Sequence, residues 1–411
     1  MAILADLSPL RRSPPFRRYF CGQVASLLGS QFTVVALRFQ VYALTGKTYM
    51  VGLLGLVQLL PLLVSAIGLG QLADVLDRRR ILLTTQLCLL CTSALLAVNA
   101  HLRHPSVALA FVLAAVASFI VGIDWPTRSA FVTNLVGTDL VRATAAINSL
   151  LFNLAAVVGP MVAGFIVSAS TSVAFAVDAV SYLFLFAIVV TLPSQPRSHG
   201  QVRFGFASVG DGLRYVRRDR TLRSTFVADI GAMIFGLPDA LFPAMATKVF
   251  GGGARTYGLL QSASGFGALV TAATTGWTAA IRRQGRAVII CIAVWGMAIA
   301  VFGFSRWLPL ALVALAVAGG ADAVSALFRS TIVQVTTPDE YRGRLSAIHI
   351  AVVRGGPRLG ELESGVLASV AGLQVAAWTG GLACIAWIAL TAWRYPELDA
   401  YQVEPATVPA E

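Results

Sequence analysis

Four charged residues lie inside one apolar stretch, Val353-Arg354-Gly355-Gly356-Pro357-Arg358-Leu359-Gly360-Glu361-Leu362-Glu363. Arg354, Arg358 and Glu361 follow at i, i+4 and i+7, which is one helical face. Arg358 and Glu361 are spaced to pair at i, i+3. If the stretch crosses a bilayer, each charge at mid-depth costs about 2.5–3.5 kcal/mol, so the four cannot all face lipid. Two readings follow: an ion pair that satisfies itself and holds a kink, or a charged lining for a polar solute. Gly355-Gly356-Pro357 is expected to bend or break the helix. Further charges sit in other apolar runs: Arg38, Asp178, Asp229, Asp239 and Asp322. Arg38 and Asp239 are expected to pair. Asp322 and Arg329 fall seven apart on one face. Asp229 has no partner nearby in sequence, which makes it the first candidate for a carboxylate that takes up and releases a proton. Asp178 reads as structural, close to a helix N-terminus. Gln31 and Gln40 are candidate hydrogen-bonding contacts, for a solute or for a neighbouring helix.

Other chemistry is poorly represented. Thr45-Gly46-Lys47-Thr48 looks like the end of a phosphate-binding loop, but the required glycine is absent because position 41 is Val41. Cys88 and Cys91 form a C-x-x-C with no second pair at zinc spacing, and the five cysteines read as ordinary buried helix residues. Four histidines, His101, His104, His199 and His349, form no metal-binding spacing. Neither covalent nor metal catalysis is expected, and no cofactor.

The elements that must position these side chains follow from composition. Of 411 residues 57% are hydrophobic and 12% charged. Soluble domains carry about 25% charged residues, so a soluble enzyme, a disordered scaffold and a secreted domain are all excluded as first readings. The chain reads as an all-α membrane protein. A span needs about 20 apolar residues, which allows roughly twelve. The expected spans are 20–44, 49–73, 81–100, 105–123, 143–168, 173–192, 223–247, 256–280, 287–305, 307–328, 345–370 and 374–393.

The net charge is +12, and only Lys47 and Lys248 are lysines. Arginines cluster in alternate loops: at the N-terminus, at 78–80, at Arg128 and Arg142, through 197–223, at 282–286, at Arg329, Arg342 and Arg344, and at Arg394. The positive-inside rule then places both termini and the 193–222 loop in the cytoplasm of a cell-membrane protein. The basic charge points to the lipid bilayer as partner rather than to nucleic acid. Arg11, Arg12, Arg17 and Arg18 precede no short apolar core with a cleavage site, so no cleaved signal peptide is expected.

The chain also repeats itself at about 200 residues. Arg128-Ser129 recurs as Arg329-Ser330, and Gly70 before Arg78-Arg79-Arg80 resembles Gly276 before Arg282-Arg283. Two six-span halves in parallel order follow, 1–192 and 223–411. They are joined by 193–222, in which 208–220 has the pattern of a basic amphipathic helix for the membrane surface.

Two motifs lead to a family. Gly70-Gln71-Leu72-Ala73-Asp74-Val75-Leu76-Asp77-Arg78-Arg79-Arg80 resembles the G-x-L-A-D-x-x-x-R-R/K signature of the major facilitator superfamily. In it Gly70 allows close helix approach, Asp74 can sit at the positive end of a helix, and Arg78 and Arg79 tether the loop to headgroups or acids. Val75 and Asp77 depart from the common Arg and Gly. Gly159-Pro160-Met161-Val162-Ala163-Gly164 resembles the G-P-x-x-G-G motif of export-type members, with Ala163 in place of one glycine. A Pro/Gly kink without directional meaning is the plainer reading. Subgroup likeness, in Pro15-Phe16-Arg17-Arg18, Asp178-Ala179-Val180-Ser181-Tyr182 and Thr336-Thr337-Pro338-Asp339-Glu340-Tyr341-Arg342-Gly343-Arg344, is to the branch with the siderophore exporters.

That resemblance implies a monomeric secondary transporter with two six-helix halves and alternating access. The energy source would be protons, with Asp229, Asp239, Asp322 or Glu361 as the titrating group. The substrate would be a small molecule: a siderophore or similar amphipathic compound, or alternatively a macrolide-type or other lipophilic drug. A sensor that keeps a transporter fold without flux is the alternative of another class.

Overall fold

The computed structural model describes residues 6–69, 76–194 and 206–402, and among them there is no strand. Gly70 and Asp74 of the first motif lie outside the described residues, as does most of the loop after 194. Among the described residues, a short helix over Ser8–Arg12 is followed by α1 (Pro14–Thr45), α2 (Thr48–Gly68), α3 (Arg78–His101), α4 (Val107–Val136), α5 (Val141–Ala169), α6 (Thr171–Val190), α7 (Phe206–Arg218), α8 (Arg220–Phe235), α9 (Phe242–Lys248), α10 (Gly253–Thr274), α11 (Gln284–Phe304), α12 (Leu308–Thr336), α13 (Arg342–Ala371), α14 (Leu373–Arg394) and the short α15 (Pro396–Ala400).

Their starts follow from side chains that satisfy the free N–H groups of a first turn. Ser106 accepts from the Leu109 N–H at 3.2 Å, and Asp219 from Leu222 at 2.8 Å. Gly46, at φ +66°, ends α1 in the left-handed conformation. The Thr45-Gly46-Lys47 sequence is therefore a helix stop.

Ten of the twelve expected spans are helices long and apolar enough to cross a membrane. The other two are also helical, α10 with 22 residues and α13 with 30. Small polar residues lower the apolar content of α10, and α13 carries the charges described above. The chain is a multi-pass membrane protein.

Span seven is divided. α8 stops at Phe235, a 3-10 turn covers Asp239–Leu241, and α9 resumes at Phe242. Pro238 removes a donor at the break. The freed Gly236 carbonyl accepts the indole N–H of buried Trp295 on α11 at 3.0 Å. Conversely, α13 runs unbroken through Pro357, against the expected break. Its glycines serve close packing instead. A Cβ on Gly360 would stand 2.5 Å from the Met233 carbonyl oxygen of α8. The cysteines are also less buried than expected: only Cys384 is buried, while Cys21 and Cys91 are exposed on outward helix faces.

Packing divides the chain into two compact units. One comprises 1–206 with 242–265, the other 207–241 with 266–411. In the first, α1 packs on α5 and α6, α3 on α4 and α6, and α2 on α4. In the second, α11 packs on α12 and α14, and α8 on α13 and α14. The amphipathic α7 turns its apolar face to this second unit: Val216 joins a cluster with Leu222, Phe226, Val333, Leu345 and Ile348, and Tyr215 stacks on Tyr341 at 4.4 Å. The end of the unit is tied by α15. Glu397 bonds Arg220 at 2.6 Å, and Asp399 takes both a 2.9 Å and a 3.0 Å bond from Arg286. Those guanidinium bonds hold both carboxyls below their usual range.

Candidate functional site

The second unit has a buried charge cluster on α8 and α12. Arg329 and Asp229 are each 2% exposed, and their Nη2···Oδ1 separation is 3.1 Å. The same Nη2 lies 3.2 Å from Asp322 Oδ1, one face along α12, and Nη1 donates to Ser325 Oγ at 3.0 Å. Asp229 thus has the partner its sequence neighbourhood lacks, and Arg329 is buried in a span where a loop residue was expected. Two carboxylates meet one guanidinium. Asp322 is 37% exposed at its side chain, so the cluster is dry on the Asp229 side and open on the other. The ring of His349 stands edge-on to Phe226 on α8, at 6.3 Å between centroids.

On α13 Arg358 donates to both oxygens of Glu361 at 3.3 Å, the i, i+3 pair expected from spacing. Glu361 is 2% exposed and Arg358 24%. Arg354, one turn earlier, is exposed. Asp239 belongs to the 3-10 turn that interrupts span seven.

The first unit has two buried polar networks. Asp124 pairs with Arg128 one turn away on α4, and accepts Thr85 Oγ1 at 2.6 Å and Gln86 Nε2 at 2.8 Å from α3. Arg128 also donates to Ser26 Oγ on α1 at 3.2 Å and to Gln86 Oε1 at 3.1 Å. Three helices are joined with nearly every polar group satisfied. Sequence reasoning missed Asp124, because the expected span stopped at 123 while the helix runs to Val136. Arg128 was expected in a loop for the same reason. The signal that could have found the pair is the i, i+4 spacing of acid and arginine.

Asp178, eight residues into α6, accepts Thr33 Oγ1 at 2.6 Å, Ser93 Oγ at 2.8 Å and Ser181 Oγ at 3.4 Å. Its partners are hydroxyls of α1, α3 and α6, beyond the first turn where a helix dipole would act. Arg38 is 6% exposed on α1.

The motif residues act as packing and capping groups. Gly159 faces the side chain of half-buried Gln31, whose Cβ would stand 2.6 Å from an added Cβ. A Cβ on Gly164 would meet the Ala254 carbonyl oxygen at 2.7 Å and Gly258 Cα at 3.0 Å. One on Gly258 would meet the Pro160 carbonyl oxygen at 2.4 Å. Backbone on backbone contact between α5 and the first half of α10 needs these small residues. Arg79 donates to the last carbonyls of α6, at 3.1 Å to Val189 and also to Val190, and Arg78 reaches the Ala130 carbonyl on α4 at 3.4 Å. Arg79 acts as a helix C-cap. Asp77, at the position of the common glycine, caps α3 through the Arg79 N–H at 2.9 Å.

The family model for transmembrane secretion effectors matches residues 4–410. The chain belongs to that family, a branch of the major facilitator superfamily. Among curated relatives, the enterobactin exporter EntS of Shigella flexneri is 26% identical over 369 residues, covering 89% of this chain and 88% of the relative. EntS of Escherichia coli O9:H4 (strain HS) is 27% identical over 379 residues with the same coverage. Among solved structures, the nucleoside transporter NupG superposes with a TM-score of 0.76 at 14% identity, over 94% of this chain and all of that one. The human organic anion transporter MFSD10 gives 0.62 at 18%, over 92% and 98%. The fold is that of a major facilitator transporter, and the relatives imply a small-molecule substrate.

Proposed function

We propose that this transporter is a proton-coupled exporter working by alternating access, with a siderophore or a similar amphipathic organic molecule as its substrate. The observation that supports coupling is the buried Arg329 between Asp229 at 3.1 Å and Asp322 at 3.2 Å. With two carboxylates on one guanidinium, one acid can take a proton while the other keeps the ion pair. A proton on Asp229 frees Arg329 for Asp322 alone, which changes how tightly α8 and α12 are held together. A ligand that prefers one of two such arrangements shifts their populations by its differential affinity. Arg354 and the Arg358–Glu361 pair are assigned to substrate contact in the second unit, and Gln31 and Arg38 in the first. The siderophore reading rests on relatives named as enterobactin exporters across 88% of their length. In this reading the protein is a monomer in the inner membrane with both termini in the cytoplasm.

The test is a deletion strain grown without iron, with secreted and retained small molecules compared. Siderophore should accumulate inside, the wild-type allele should restore secretion, and Asp229→Asn should not. Unchanged secretion in the deletion strain removes the siderophore assignment and makes lipophilic drugs the next substrates to try. Ligand binding without flux in proteoliposomes would instead make the protein a sensor.

A further inference from the structure

A groove of about 450 Å³ lies where the start of α1 meets the end of α6, within the first unit. Phe184, Ala187 and Ile188 give it an apolar wall, and Arg17, Arg18, Cys21 and Thr191 complete its lining. Both arginines are exposed, and no carboxylate is paired with either among the described residues.

Their position on the helix is informative. They follow Pro14 by three and four residues, at the N-terminal end of a 32-residue helix with no acid in its first turn. The two adjacent guanidiniums therefore repel one another, and among the described residues no ion pair with a carboxylate offsets this. The α6 carbonyls close by do not need them either, since Arg79 already caps Val189 and Val190. An anion beside the arginines would relieve that repulsion. Because α1 and α6 cross the membrane, their ends and this groove open at the membrane–water interface.

We propose that the groove is a binding site for an anionic phospholipid, with one acyl chain against Phe184, Ala187 and Ile188 and the headgroup phosphate on Arg17 and Arg18. Apolar wall and cationic rim match the two parts of such a lipid, and a zwitterionic headgroup would bring its own cation to the arginines. The site is independent of the transported substrate and of the proton reading.

Cys21 at the rim is a built-in reporter. Full-length protein in detergent is incubated with phosphatidylglycerol or with phosphatidylcholine, and alkylation of Cys21 by a maleimide is followed by peptide mass spectrometry. Phosphatidylglycerol should slow alkylation severalfold, and phosphatidylcholine should not. Native mass spectrometry should show retained phosphatidylglycerol, which Arg17→Gln/Arg18→Gln loses and Arg17→Lys/Arg18→Lys keeps. The melting temperature of Arg17→Gln/Arg18→Gln in detergent should match that of the wild type, which reports that the fold is intact. Equal protection by both lipids, protection by glycerol phosphate without acyl chains, or a Cys21–Cys21 disulfide between two copies would each overturn the proposal.

Discussion

At the scale of single residues, the strongest test of the buried networks is Arg128. It is 11% exposed and Asp124 6%, and together they hold α1, α3 and α4. Removing one partner leaves an uncompensated buried charge, which costs about 3–5 kcal/mol. Arg128→Gln should lower the melting temperature in detergent strongly, and Asp124→Asn/Arg128→Gln should recover much of the loss because two neutral amides leave no orphan charge. A double variant no more stable than the single one would refute the pairing account. This residue also shows where the sequence was hard to read. Asp-Trp-Pro-Thr-Arg at 124–128 has the composition of a loop, yet it is helix, because each charge is neutralised by the other and by hydroxyl and amide groups on α1 and α3. Only the three-dimensional neighbours decide that. By contrast, the Arg358–Glu361 and Asp322–Arg329 pairs were legible, since both partners lie on one helix and spacing alone fixes their face.

At the scale of elements, spans were legible and their interruptions were not. Long apolar runs between arginine-rich loops gave twelve segments, and helices occupy all of them. Gly355-Gly356-Pro357 nevertheless leaves α13 whole, while Gly236-Leu237-Pro238 divides span seven. The difference lies in the partners. Gly356 and Gly360 are pressed against Met233 and its carbonyl, so they favour a straight packed helix, whereas the Gly236 carbonyl has the Trp295 indole to receive it. Broken backbone at membrane depth persists only where protein satisfies it. The α5–α10 contact gives the prediction at this scale. An added side chain at Gly164 would meet backbone atoms of Ala254 and Gly258, which cannot move aside as a side-chain tip could. Overpacking costs about 1–3 kcal/mol, so Gly164→Val should lower the melting temperature and abolish transport. Gly68→Ala meets nothing within 4 Å and should be silent in both measurements. A silent Gly164→Val would show that the two helices do not need to touch.

At the scale of the whole molecule, the repeat makes the two arginines comparable. Arg128 and Arg329 are 201 positions apart, and each sits buried with an acid on its own helix. The difference is the partner from the first helix of each half: Ser26 for Arg128, Asp229 for Arg329. The first cluster is balanced and the second carries one surplus negative charge. A balanced pair has no reason to take a proton, and a surplus one does. Asp229→Asn should convert the second cluster to the balanced kind, with Asp322 left as the one carboxylate on Arg329. In proteoliposomes the variant should keep substrate exchange at equal pH on both sides. Transport driven by a pH gradient should fall at least about tenfold, the effect of a 1.4 kcal/mol change in the coupling equilibrium. Asp322→Asn should behave alike if the two acids share one proton, and only Asp229→Asn should fail if the dry carboxylate alone titrates. Wild-type gradient-driven transport in both variants would remove the cluster from the coupling mechanism and leave it, like Asp124–Arg128, as a staple between helices.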